Sequence, residues 1–169
     1  MEYFENFFNR VSFIDAIVLV GIIVVAIATW FSGIAPAWWR LGNGLARRKV
    51  AIFARNENLG SLKDLLGRSR LFKSRNILEI QTAADIGVAE DASVYVVYWP
   101  DWSNAMDQVL EKKRSSVPMI VYAPFEYDEI PDDTMRKIDG HRHTAVTNFR
   151  GRLLNDILTA MITTAYEKR

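Results

Sequence analysis

Cysteine is absent from all 169 residues. Disulfides, thiolate metal sites and cysteine nucleophiles are therefore excluded, and the chain suits a reducing compartment. Histidine is nearly absent too. The pair His141 and His143 stands near Asp132, Asp133 and Asp139, but not at a ligand spacing typical of a metal site. No Walker loop, nucleophile elbow or glycine-rich dinucleotide fingerprint occurs, so no bound cofactor is expected. Low-complexity tracts and repeats of fixed period are missing. An excess of one charge is lacking as well, with 21 Lys/Arg against 20 Asp/Glu. Such a surface has no field to hold a nucleic-acid duplex.

The most informative absence is local. Between Asp15 and Arg40 lie 24 residues without a charge, AIVLVGIIVVAIATWFSGIAPAWW. At about 1.5 Å per residue this stretch reaches roughly 36 Å, enough for a hydrocarbon core of about 30 Å with some tilt. A core helix of a soluble protein is rarely apolar on every face for that length. A signal peptide would be basic ahead of its apolar run, whereas here Glu2, Glu5 and Asp15 outweigh Arg10. Residues 16–39 thus read as a transmembrane helix. Residues 1–15 place Tyr3, Phe4, Phe7, Phe8, Val11 and Ile14 at helical spacing. That is expected of an interfacial segment at headgroup depth, or of a helix continuous with the span.

Arg40, Arg47, Arg48 and Lys49 follow the span in a basic linker over 40–48, and Trp30, Trp38 and Trp39 gather at that end. The positive-inside rule then predicts a single pass through the cell inner membrane with the C-terminal part cytoplasmic. Gly33 and Pro36 suggest a bend there. Gly21, Ala28, Ser32 and Ala35 fall on one helical face, where two spans can approach closely. Self-association is expected through it. An uncharged single span has no ion pathway, so any channel needs several copies, lined by Thr29, Ser32 or backbone.

Residues 49–169 alternate between the periods of strand and helix. Strands are predicted over Lys49–Arg55, Asn76–Thr82, Ala92–Trp99, Val117–Pro124 and His143–Phe149. Helices are predicted over Ser61–Phe72, with Ser61 as N-cap, then Ala83–Glu90, Ser103–Lys113, Thr134–Asp139 and the C-terminal stretch from Arg150. The fold class is α/β: a flavodoxin-like (Rossmann-like) five-stranded parallel sheet in the order 2-1-3-4-5, with helices on both faces.

Sheets of this kind bind ligands at the carboxyl ends of their strands. The residues predicted there are Arg55, Asn56 and Ser61 after the first strand, and Asp101 and Trp102 after the third. Glu126 and Tyr127 follow the fourth, and Asn148, Arg150 and Arg152 the fifth. Arginines beside helix N-termini suit an anion. Arg55, Ser61, Arg150 and Arg152 are expected to grip phosphates while Trp102 or Tyr127 stacks on a base. The plainer alternative is a solvated polar edge whose arginines pair with Asp101 or Glu126.

The run from Lys49 resembles receiver domains and TIR domains, which share this topology. A receiver carries acidic residues and a lysine where Arg55 and Pro124 stand here; Asp101 is the loose match. The TIR resemblance rests on AEDASVYVVYWPDWS, a following helix and VPMIVYAP. It implies a nucleotide hydrolase with a helix carboxylate, for which Asp107 and Glu111 are nearest. One span joined to a small α/β domain also resembles membrane effectors of prokaryotic antiviral signalling, which implies binding of a nucleotide second messenger and action on the membrane. The expected partners are a lipid bilayer, further copies of this chain and a nucleotide-like ligand. The leading expectation is a sensor without chemistry of its own, with a TIR-like hydrolase or a membrane scaffold as alternatives.

Overall fold

A computed structural model describes residues 13–34, 48–127 and 129–166. The chain divides into two units, one ending at Gly44 and one starting at Leu45. Most of the expected interfacial segment lies outside the described residues. So do Ala35, Pro36, Trp38, Trp39, Arg40 and Arg47.

In the first unit, α1 (Phe13–Thr29) runs into a π-helical turn, Trp30–Ile34. Its stretch Asp15–Gly33 has a mean hydropathy of 2.4 and is long and apolar enough to cross a membrane. Because α1 begins at Phe13, the last residues of the expected interfacial segment belong to the same helix. Its few hydroxyls bond within the helix: Thr29 donates to the Val25 carbonyl at 2.8 Å and Ser32 to Thr29 at 3.3 Å. That leaves their donors satisfied without water. Gly21 and Ala28 share a face of α1. Ser32 falls in the π-helical turn, where the step per residue departs from the 3.6 period that defines this face.

The second unit is a five-stranded parallel sheet. The strands are β1 (Val50–Phe53), β2 (Ile77–Ile80), β3 (Val94–Tyr98), β4 (Met119–Tyr122) and β5 (Thr144–Thr147). Their spatial order is β2-β1-β3-β4-β5. Register runs Phe53 beside Ile80 and Val97, and Tyr98 beside Tyr122. The central strands β1, β3 and β4 are buried on both faces, as the continuous apolar runs VAIF, VYVVY and MIVY require.

Alternation assigns the two faces. Ala51, Phe53, Tyr95, Val97, Met119 and Val121 face one core with Trp102, Met106, Val109 and Ile138. These come from α3 (Trp99–Trp102), α4 (Met106–Lys112) and α5 (Asp132–Gly140). Val50, Ile52, Val94, Val96, Tyr98 and Ile120 face the other. There they meet α2 (Asn56–Arg68) through Leu59, Leu62 and Leu66, and α6 (Arg150–Tyr166) through Leu153, Ile157 and Met161. Each large aliphatic side chain so buried contributes about 1.5–3 kcal/mol. Between β2 and β3 a 3₁₀ helix, Ala83–Asp91, opens with a capping box of Thr82 and Asp85.

One boundary corrects the sequence reading. Ser61 does not cap a helix; it lies inside α2, which begins at Asn56. The cap comes from another element. The Asp101 carboxylate accepts the Arg55 N–H at 2.7 Å and the Asn58 side-chain amide at 3.1 Å. Asn56 takes a φ of 45°, a left-handed conformation that asparagine tolerates.

Candidate functional site

All five strands point their carboxyl ends to one edge, and two neighbouring clefts open there. The first, about 400 Å³, lies between the start of α2, the β4–α5 loop and the start of α6. Ser61 and Asn58 stand on the α2 side, Asn148 and Arg150 on the α6 side. Tyr98 and Tyr122, at the ends of β3 and β4, also line it. The β4–α5 loop adds Phe125, Glu126 and Tyr127, and Phe149 completes the rim. The second cleft, about 520 Å³, shares Asn58 and Tyr127 with the first. Trp99, Pro100, Asp101, Ser103, Glu129 and Pro131 make its remaining wall.

Arg150 is the cation of the first cleft. Its guanidinium donates to the Ser61 carbonyl at 3.0 Å, which ties the start of α6 to α2 and leaves further N–H groups for an anion. The phenols behind it are held neutral. Burial first, then a hydrogen bond with Tyr127, raises the Tyr98 pKa well above the ordinary tyrosine value. Burial raises that of Tyr122 as well, against the opposing charge of Arg150. The Tyr127 ring meets Tyr98 edge-on, with centroids 6.2 Å apart. Around these fixed groups, Phe125, Phe149 and Tyr127 remain 78%, 59% and 51% exposed.

Three of the expected ligand residues meet in the first cleft: Ser61, Asn148 and Arg150. Asp101 lines the second. The other four are placed elsewhere. Arg55 donates from Nε to the Gln81 carbonyl at 3.3 Å, and its guanidinium lies 5.6 Å over the Trp102 ring. Asn56 lines neither cleft. Arg152 points along its own helix toward Asp156 at 3.9 Å. Trp102 has no exposed surface, and its ring packs edge-on against Phe53 at 5.2 Å. Trp102 therefore offers no face for the stacking expected of it.

Sequence reasoning passed over Tyr98, Tyr122 and Phe149 because they sit at strand ends and read as core. The signal was present in register: Tyr98 and Tyr122 are paired partners, and both precede a proline by two residues or fewer. Asp107 and Glu111, the carboxylates nearest to the one that the TIR resemblance implies, line neither cleft. Asp107 is held by Lys137 at 2.8 Å, and Glu111 is exposed on α4. Among the described residues no group of three or more His, Asp or Glu could hold a metal ion. No protein-family model, curated protein or solved structure matches the chain.

Proposed function

We propose that the chain is a membrane-anchored, self-associating sensor or effector whose α/β unit binds a small nucleotide-like anion. One observation carries the reading. Arg150 and three exposed aromatic rings surround a single cleft at the carboxyl edge of a parallel sheet. Large exposed apolar side chains gathered at one place are characteristic of a binding surface. A guanidinium beside open rings matches a molecule with a phosphate and a planar base. The sheet is read as flavodoxin-type, in which ligands occupy this edge.

In this reading α1 and the turn after it anchor the chain as a single pass in the cell inner membrane. The flanking charge supports a cytoplasmic α/β unit. Ligand binding changes packing between copies, and the apolar helices respond together. A channel would require that assembly, since residues 16–39 hold no charge. The resemblance to antiviral membrane effectors fits this scheme.

Arg150→Ala tests the site. Binding of ADP to the detergent-extracted chain, followed by calorimetry, should fall by at least tenfold while the chain still fractionates with membranes. Unchanged ADP affinity in the variant would sink the assignment.

A further inference from the structure

Charge in the α/β unit is divided between the two ends of its strands. Glu57, Asp101, Glu126, Glu129, Asp132 and Asp133 stand at the carboxyl edge and outnumber the arginines there. The amino edge has the opposite balance. Its α2–β2 turn reads RSRLFKSR over 68–75, with Arg68, Arg70, Lys73 and Arg75 exposed and no acid among them. Exposed Lys112 and Arg114 precede β4 at the same edge, and exposed Arg142 precedes β5. The acids there are Glu90, Asp91, Glu111 and Asp139, and Asp91 is held by Lys49 at 3.1 Å. Val50 pairs with Ile77, so the turn feeds β2 beside the point where Lys49 leads into β1.

Helix dipoles explain part of this. A cation in the last turn complements the carbonyl end of a helix, which covers Arg68 on α2 and Lys112 on α4. Arg70 and Lys73 lie past the end of α2 and are left over. Among the described residues no carboxylate pairs with Arg68, Arg70, Lys73 or Arg75. Like charges crowded into one short turn repel one another, and an anionic partner removes that cost. The turn itself is built. Arg70 takes a φ of 57° and donates its N–H to the Gly67 carbonyl at 3.1 Å. Phe72 is buried beneath, while Leu71 is 37% exposed between Arg70 and Lys73. An apolar side chain flanked by cations suits the headgroup boundary of a bilayer, which offers it hydrocarbon and offers the cations phosphate. A nucleic-acid backbone offers the phosphate alone.

We infer that the amino edge of the sheet docks on an anionic lipid bilayer through the turn 68–75, with Leu71 at its tip. The inference rests on the membrane-anchored reading, which supplies the bilayer. In sequence only residues 35–47 separate Ile34 from Arg48, and Arg48 leads into β1 at this same edge. Docking by the amino edge turns the carboxyl edge and its clefts away from the lipid, open to ligand.

Lysine acetylation read by mass spectrometry tests this on the 169-residue chain in lipid nanodiscs. The discs are phosphatidylcholine alone, or contain roughly one third phosphatidylglycerol. Lys73 and Lys112 should react about threefold slower or more in the anionic discs, and high salt should restore their rates. Lys63 and Lys137 serve as controls away from this edge, paired with Glu79 and Asp107, and should be unchanged. Asparagine tolerates the backbone of position 70, so Arg70→Asn with Leu71→Ser keeps the turn and should remove most of the protection at Lys73. Equal rates in both lipids, with the chain incorporated in both, would overturn the docking surface and leave the anchored reading standing. Equal protection of all four lysines, or protection untouched by the double variant, also overturns it. A DNA duplex that protects Lys73 as strongly in neutral discs would overturn the lipid assignment. Failure of the chain to enter either disc would overturn both readings.

Discussion

Phe149 and Gly151 show how closely the cleft is drawn at the level of single residues. A Cβ placed on Gly151 would lie 2.7 Å from the edge of the Phe149 ring. The hydrogen in place of a side chain is what lets this ring rest against the first turn of α6. Because the ring is exposed on its other side, it can swing away at little cost when crowded. Gly151→Ala therefore separates binding from folding. Alanine favours the helix by about 1 kcal/mol over glycine, so the melting temperature should hold or rise slightly. ADP affinity should fall by several-fold as the ring leaves its place. A melting temperature several degrees lower in the variant would show that the ring does not yield.

At the level of elements, the capping of α2 by Asp101 joins the end of β1 to the turn after β3. Asp101→Ala removes acceptors from the Arg55 N–H and the Asn58 amide. The loss should be about 1–2 kcal/mol, seen as a lower urea midpoint with unchanged slope. This same contact explains what sequence could and could not supply. The strands were legible because β1, β3 and β4 are short apolar runs bounded by charge, proline or both. The inward face of α6 was legible from the spacing of Leu153, Ile157 and Met161, all fully buried. The start of α2 was not, because its cap lies 46 positions away in the chain. Arg150, Ser61 and Asn148 were legible as neighbours once strand ends were assigned to one edge. Trp102 was misplaced because a tryptophan in a loop-like sequence, WPDWS, looks available, while α3 turns it into the core. Exposure is a tertiary property. In a helix as short as Trp99–Trp102 no periodicity reveals which ring turns inward.

At the level of the molecule, α1 differs from every helix of the α/β unit. Its large apolar side chains from Ile17 to Ile27 are 47–65% exposed. Left in water, that surface would drive aggregation; in lipid it is satisfied. Val24→Arg places a charge near the middle of the apolar stretch, at a cost of about 2.5–3.5 kcal/mol for insertion. The variant should move from the carbonate-resistant membrane fraction to the soluble or aggregated fraction. Retention equal to the parent chain would argue against a spanning role for this helix.

The C-terminal half of α6 closes on the start of its own unit. Arg48, whose guanidinium is partly desolvated, donates to the Met161 carbonyl. α6 thus begins with Arg150 in the cleft and is held further along, at Met161, by a residue at the start of the unit. At about 1.5 Å per residue, the distance from Arg150 to Met161 is roughly 17 Å of unbroken helix. A helix packed along one face resists compression. Along that length it can act as a pushrod: a small axial displacement of its first turn would arrive almost undiminished at Arg48, at the start of the α/β unit.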